Sequence, residues 1–244
     1  MWKKTIIIVL DSIIAVYLIL AVTAFNKPAE RATVCSAVKI DIDDEMPDGF
    51  LNANEIKKIL ERQQLYPLAK PMTAVNARDI EETLRKNPFV QQAECYKAQN
   101  GHVCISLRQR MPIMHVMTDK GDNYYVDIQG SILPESRYPS DLLVVTGNIT
   151  KTYAQKTLTP VVNEIVRDKF WQSLIVQIQV LDDGSLEVVP RVGDHVVYLG
   201  APTDIARKLE RLRKFYLYGL NQAGWNKYAY ISVEFDNQII CKKK

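Results

Sequence analysis

Histidine is scarce in this chain. His102, His115 and His195 are all it has, and none has a second ligand at metal-binding spacing. With no H-x-x-x-H, H-E-x-x-H or C-x-x-C string, a transition-metal centre has little support. The G-x-S-x-G elbow, the P-loop and the dinucleotide glycine fingerprint are also missing, so three large enzyme classes lose their usual signature. Charge of one sign is not in excess: a net charge of +3, with no basic stripe interleaved with aromatics, argues against a nucleic-acid partner. The four cysteines, Cys35, Cys95, Cys104 and Cys241, do not fall at zinc-knuckle spacing. Acidic pairs occur at Asp43-Asp44-Glu45, Glu81-Glu82 and Asp182-Asp183, but in a loop, on a polar helix face and in a turn, where solvated charge is expected. Asp127 followed by Gly130 lacks the other ligand positions of a calcium loop. Nothing here implies a cofactor or a small-molecule substrate. Internal repeats are absent too, and 47% apolar with 24% charged residues describes ordinary folded domains.

What the chain does have, once, is a long apolar run from Thr5 to Phe25 (TIIIVLDSIIAVYLILAVTAF). At about 1.5 Å rise per residue such a helix reaches about 30 Å, the thickness of a bilayer's hydrocarbon core. The expected plan is a cytoplasmic tail at 1–4, a transmembrane helix at 5–25, a linker at 26–33, and the remainder exported. Lys3 and Lys4 favour a cytoplasmic N-terminus, although Lys27 and Arg31 weaken the asymmetry. Val22-Thr23-Ala24 resembles a signal-peptide cleavage site, but the run exceeds the usual ~7–15 residues, so a retained anchor is expected. Asp11 lies inside the run, where a carboxylate costs roughly 2.5–3.5 kcal/mol at the centre and less near the interface. It either snorkels or is protonated near the cytoplasmic face, or it meets a partner membrane helix.

Residues 34–111 read as one unit. Val38, Ile40 and Ile42 alternate with polar residues as in a half-buried strand, and Asp43 to Gly49 is a loop. Two short helices then start alike. Asn52 with Glu55, and Asn76 with Asp79, form capping-box-like starts, and Leu51/Ile56 and Val75/Ile80 are positioned as hydrophobic staples. Asn87-Pro88 stops the second helix, because the residue before proline avoids the helical region. Strands at Phe89–Lys97 and His102–Arg110 complete a β-α-α-β-β order, with one sheet face under two helices. A two-residue turn at Asn100-Gly101 would pair Lys97 with Cys104 and put Cys95 and Cys104 on opposite faces. A four-residue loop would place the two cysteines opposite each other. Asn-Gly favours the first, and with it no bridge.

Residues 112–241 read as a mixed β domain, with two helices packed on a mostly antiparallel sheet. Strands are expected at Ile113–Met117, Tyr124–Asp127, Leu142–Val145, Ile175–Leu181, Leu186–Pro190 and Val196–Leu199. A helix covers about Tyr153–Trp171, with Leu158, Val161, Val162, Ile165 and Val166 inward and Pro160 as a kink or an early helical residue. A second helix, capped by Thr203, carries Ile205, Leu209, Leu212, Phe215 and Leu220, supported by an i,i+4 pair of Glu210 and Lys214. Tyr228–Cys241 reads as one final strand, and Lys242–Lys244 as a solvated basic tail. The fold class is α+β. On residues alone this is an anchored binding protein.

The order of parts, with the local strings, resembles the FtsQ/DivIB family of bacterial cell-division proteins across essentially the whole chain. Leu107-Arg108-Gln109-Arg110-Met111-Pro112 resembles the family's exit strand from its POTRA domain. Tyr124 to Pro134 (YYVDIQGSILP) is similar to its "yyvD-x-x-G-x-vlp" segment, and Tyr198-Leu199-Gly200, Lys208-Leu209 and the terminal strand match its last third. The family often has an acidic and then a basic residue in that last strand, where this chain has Ser232 and Glu234. The resemblance implies a non-catalytic inner-membrane scaffold of the division septum. It would join FtsB/FtsL-like proteins and other divisome membrane proteins, and help recruit and regulate septal peptidoglycan synthesis. A physical route is strand addition. If Tyr228–Phe235 is a sheet edge, its free backbone groups pair with a partner strand, with Tyr228, Tyr230, Ser232, Val233, Glu234 and Phe235 as the contact set. An edge guarded by Lys227 and the terminal lysines is the alternative. The helix beginning at Asn76 offers a second candidate surface. Rival readings are a POTRA-containing envelope assembly or secretion component, and an exported enzyme with an unrecognised site.

Overall fold

The computed structural model describes residues 2–25, 33–43, 51–135 and 142–244; on the first helix the described side chains are Trp2 and residues 10–21. Most of the expected linker and the acidic loop as far as Gly49 lie outside the described residues. Helix α1 spans Trp2–Phe25, so it takes in all but the first residue of the expected tail. From residue 10 to residue 20 every side chain on it is exposed, Leu10, Ile13, Ile14, Leu18 and Ile19 included. Among the described residues, no helix is long and apolar enough to cross a membrane.

The chain divides into two compact units, and α1 is counted with the first. The first is built mainly from Ala53–Leu84 and Ala93–Leu107 with the start of the first strand. It holds a three-stranded sheet of β1 (Ala37–Asp43), β2 (Val90–Lys97) and β3 (His102–Gln109), with β3 central, and helices α2 (Ala53–Arg62) and α3 (Ala77–Arg85). This is the β-α-α-β-β order expected. The staple residues Leu51, Ile56, Val75 and Ile80 are all buried, as are Val103, Ile105 and Leu107 of the central strand. Asn76 caps α3, its Oδ1 accepting from the Arg78 amide at 3.1 Å. Glu81 ties α3 to the sheet by accepting from the Cys95 amide at 2.8 Å.

The hairpin turn is neither of the two considered from sequence. Ala98 donates to the His102 carbonyl at 2.9 Å, and the Gly101 amide donates to Ala98 at 3.2 Å, closing a three-residue loop with Gly101 left-handed at φ 76°. This register sets Cys104 opposite Tyr96 rather than Lys97. Cys95 is buried and Cys104 half-buried, and all four cysteines are free.

The second unit centres on a nine-stranded mixed sheet. Its strands are β4 (Pro112–Thr118), β5 (Asn123–Asp127), β6 (Ile132–Pro134), β7 (Leu143–Gly147), β8 (Ile175–Val180), β9 (Leu186–Pro190), β10 (Val196–Gly200), β11 (Tyr228–Ser232) and β12 (Ile240–Lys243). They run in the order β12-β11-β10-β9-β8-β7-β4-β5-β6. The parallel pairs are β4–β7, β7–β8 and β10–β11. Parallel neighbours need a crossover, and two of these crossovers carry the helices. Between β7 and β8 come α4 (Lys151–Tyr153), a π-helical turn (Ala154–Leu158), α5 (Thr159–Arg167) and α6 (Lys169–Leu174). Between β10 and β11 come α7 (Ile205–Lys214), a second π-helical turn (Phe215–Leu220) and α8 (Asn221–Ala223).

One core joins these helices to one face of the sheet. Leu158, Val161, Val162 and Ile165 share it with Leu209, Leu212, Tyr216 and Leu220, against Val116, Val145, Ile178, Val188, Val197 and Ile231. The single helix expected from Tyr153 to Trp171 falls in two helical runs: α4, the π-helical turn and α5 follow one another without a break, and α6 begins after Asp168. Proline at 160 would clash with the carbonyl four residues back in a regular helix, and the widened turn just before it relieves that clash. Thr159 Oγ1 donates to the Ala154 carbonyl across this turn at 2.9 Å. Asp168 then breaks the helix and caps the next, accepting from the Phe170 amide at 3.0 Å. Asp204, not Thr203, is the residue at the N-cap of α7, and the Glu210–Lys214 pair forms at 2.8 Å.

Candidate partner-binding edge

The residues picked from sequence lie at one end of the large sheet, but not on its edge. β11 is paired on both sides. Parallel β10 sets Val196 beside Tyr230 and Tyr198 beside Ser232, and antiparallel β12 sets Tyr230 beside Lys242, Ile231 beside Cys241 and Ser232 beside Ile240. Two expectations are thus corrected: Tyr228–Phe235 is not the sheet edge, and Tyr228–Cys241 is not one strand. The stretch is a hairpin, and Glu234, Phe235 and Asp236 lie in the bend between its arms. Ser232 and Val233 are buried, Tyr228 and Tyr230 half-buried, and only Phe235 of the set is largely exposed. Tyr230 stacks on Tyr198 with ring centroids 6.2 Å apart. Asp11 belongs to the other unit, exposed on α1.

The edge is β12, which has a sheet neighbour on one side only among the described residues. Lys242 and Lys243, read from sequence as a solvated tail, belong to this strand. The Lys244 amide donates to the Lys227 carbonyl at 3.4 Å. Alternation along an antiparallel strand then turns the backbone N–H and C=O of Cys241 and Lys243 outward, away from β11. The opposite edge of the sheet, β6, is three residues long and ends at Pro134, which has no amide to offer.

Both ends of the β11–β12 hairpin are held. At the bend, Arg211 of α7 donates to the Val233 carbonyl and pairs with Asp236, which Arg207 also reaches at 3.4 Å. At the open end, Lys244 Nζ lies 2.7 Å from Asp194, and this ammonium holds the Asp194 carboxyl below the usual carboxylate range. His195 beside it is buried. Its Nε2 lies 2.8 Å from the Tyr216 hydroxyl, its Nδ1 has no partner among the described residues, and burial pushes its pKa below the ordinary histidine value. Lys208 is buried as well, donating to the Ala201 carbonyl at 2.7 Å in the loop that leaves β10; burial lowers its pKa.

Sequence reasoning missed the edge strand, the lysines in it, and the anchors Arg211, Asp194 and His195. The Asp236-Asn237 pair was a usable turn signal. Ile239, Ile240 and Cys241 hid it by prolonging the apolar pattern.

The geometry is that of an edge able to receive a strand, with no cluster of three metal-ligating side chains among the described residues. Residues 111–242 match the family described as FtsQ/DivIB, C-terminal related. The chain belongs to that family. Residues 33–108 match the POTRA-like domain, so the two matches together take in both units after α1. Neither is an enzyme family, and the FtsQ/DivIB match supports a role in cell division. No curated protein matches the chain.

Proposed function

We propose that this protein is a non-catalytic, membrane-anchored scaffold of the bacterial division machinery, and that it holds a partner by strand addition at β12. The observation that carries this is the one-sided edge in the FtsQ/DivIB-related domain, held at both ends and presenting backbone groups outward. A partner segment hydrogen-bonded to Cys241 and Lys243 extends the sheet by a tenth strand. Tyr230, Ser232 and Phe235 then lie beside the joint rather than in it. FtsB/FtsL-like membrane proteins are the proposed partners, and through them the scaffold helps bring septal peptidoglycan synthesis to the division site.

The proposed anchor is the run Thr5–Phe25, which lies within α1. It is apolar but for a few residues such as Asp11 and Ser12, and its side chains from 10 to 20 are all exposed, which suits a helix surrounded by lipid. Lys3 and Lys4, which precede the run, support a cytoplasmic N-terminus with both folded units outside the cytoplasm.

Proline at position 243 is the test, since it removes one outward amide and leaves the ladder to β11 intact. Co-purification of an FtsB-like partner with Lys243→Pro should fall to background while the circular dichroism spectrum is unchanged. Undiminished capture refutes strand addition. For the cellular role, a fluorescent protein fused to the N-terminus should concentrate at mid-cell during division; uniform envelope fluorescence counts against the scaffold.

A further inference from the structure

We propose that β12 selects an extended segment carrying two consecutive carboxylates, with Lys242 and Lys243 as the selecting groups; this rests on the strand-addition reading above. The two lysines are neighbours on one strand, so they project to opposite faces of the sheet. Lys242 sits opposite Tyr230, on the face turned away from the helices, and Lys243 sits opposite Tyr228, whose ring packs against the helix-side core. Both are exposed. A strand added at this edge therefore meets one ammonium on each face, about 5 Å from the directly opposed side chain.

The acids around the hairpin already face cations of this chain. Asp194 is paired with Lys244 and Asp236 with Arg207 and Arg211, and the Glu234 charge is near enough to act on Lys208. Lys227 is directed over the Tyr228 ring, at 5.6 Å from its centroid, and adds a further positive charge near the start of β11. The edge thus presents net positive charge along its outer rim. Opposite charges directly across a strand pair are favourable and like charges unfavourable.

A second copy of the chain is a poor occupant for the same reason. Antiparallel pairing of β12 with itself, in the register that joins residues 240–244 end to end, sets Lys242 against Lys242 and Lys243 against Cys241. Lysine on an edge strand is a recognised device against self-pairing. The occupant that fits is an acidic, proline-free, extended segment of a different protein, with adjacent Asp or Glu residues facing Lys242 and Lys243.

The test uses the full chain in nanodiscs and fluorescent strand-forming peptides that differ only at two adjacent central positions, Glu-Glu, Gln-Gln or Lys-Lys. A further peptide copies residues 237–244. At low salt the Glu-Glu peptide should bind at least tenfold more tightly than Gln-Gln, and the gap should narrow in 0.5 M salt as screening shortens to about 3–5 Å. Neither the Lys-Lys peptide nor the copy of 237–244 should bind measurably. The double variant K242E/K243E should reverse the order and capture Lys-Lys. Equal affinity for Glu-Glu and Gln-Gln overturns the charge selection while leaving strand addition standing. If no peptide binds wild type or K242E/K243E, strand addition itself falls. Binding that survives in Lys243→Pro means that the peptides dock elsewhere.

Discussion

Arg110 and Asp127 form an ion pair at 2.9 Å, with the Asp127 side chain almost wholly buried. The same Arg110 nitrogen reaches Ser131 Oγ at 3.0 Å, while the other Asp127 oxygen accepts from the amides of Gln129 at 2.9 Å and Ser131 at 2.7 Å. One carboxylate thus folds the turn between β5 and β6 and binds the residue that leads from β3 into β4. This gives a physical reason for the Arg-x-Pro and Asp-x-x-Gly strings read from the sequence.

Removing that carboxylate leaves the Arg110 guanidinium without its partner in a largely buried setting. Asp127→Ala should lower unfolding free energy by about 3 kcal/mol, the low end for breaking a buried pair, because Arg110 keeps some solvent contact. Asp127→Asn should lose less, since its amide oxygen still accepts from the turn amides. Urea denaturation of the two variants checks the order. Equal stabilities would mean that the lost ion pair, not the turn hydrogen bonds, carries the effect.

Gly147 ends β7 at φ 119°, and a Cβ there would lie 2.1 Å from the Val180 carbonyl oxygen of β8. That neighbour is backbone in a paired strand, so it has little room to yield. Gly147→Ala should cost about 1–3 kcal/mol by overpacking, with left-handed backbone strain added to it. The midpoint of thermal unfolding should drop accordingly. Gly121→Ala is the comparison, because its φ is also positive at 87° but nothing lies within 4 Å of the added atom.

Local chemistry explains which parts of this fold were readable. The starts of α2 and α3 were legible because a cap, an acid three residues on and a staple coincide within six residues of sequence. The Glu210–Lys214 pair was legible for the same short-range reason. The order of the nine strands was not, because the β7–β8 and β10–β11 pairings depend on the intervening helices, and β4 pairs with β7 across β5 and β6. The candidate edge failed on phase. Alternation from Ala229 to Val233 resumes as the apolar run Ile239–Cys241, so a bent hairpin looked like one straight strand. Its lysines then looked like a tail, because three identical charges at a terminus carry no strand periodicity.

The cysteines should behave as four separate thiols. Cys95 faces the core, where burial first, and then the Glu81 charge, push its pKa up to about 11. The thiolate is the reactive form, so Cys95 is protected twice over, by pKa and by access. Half-buried Cys104, opposite exposed Tyr96, should be alkylated by iodoacetamide well before Cys95 at pH 8. Peptide mass mapping over a time course checks the order. A Cys95–Cys104 cross-link in protein isolated without reductant would contradict the register of the β2–β3 hairpin.

His195 should make stability depend on pH near neutrality. Burial holds its pKa below the ordinary value of 6.5, partly opposed by the nearby Asp194 charge, and Lys244 adds a small lowering effect. Above 6.5 the ring is neutral in both folded and unfolded chains and contributes no slope. As pH falls below 6.5 the unfolded chain takes up a proton that the folded chain refuses. The unfolded state then binds more protons, so unfolding free energy decreases with falling pH until the folded pKa is passed. Asp194 and Asp168, both lowered by cationic partners and hydrogen bonds, act in the same direction but only around pH 4 and below. Between pH 7.5 and 5.5, urea midpoints should therefore fall for wild type and fall less for His195→Gln, which has no proton to gain. Tyr216→Phe should keep the pH slope while losing the 2.8 Å hydrogen bond. Parallel slopes for wild type and His195→Gln would place the neutral-range titration on another group.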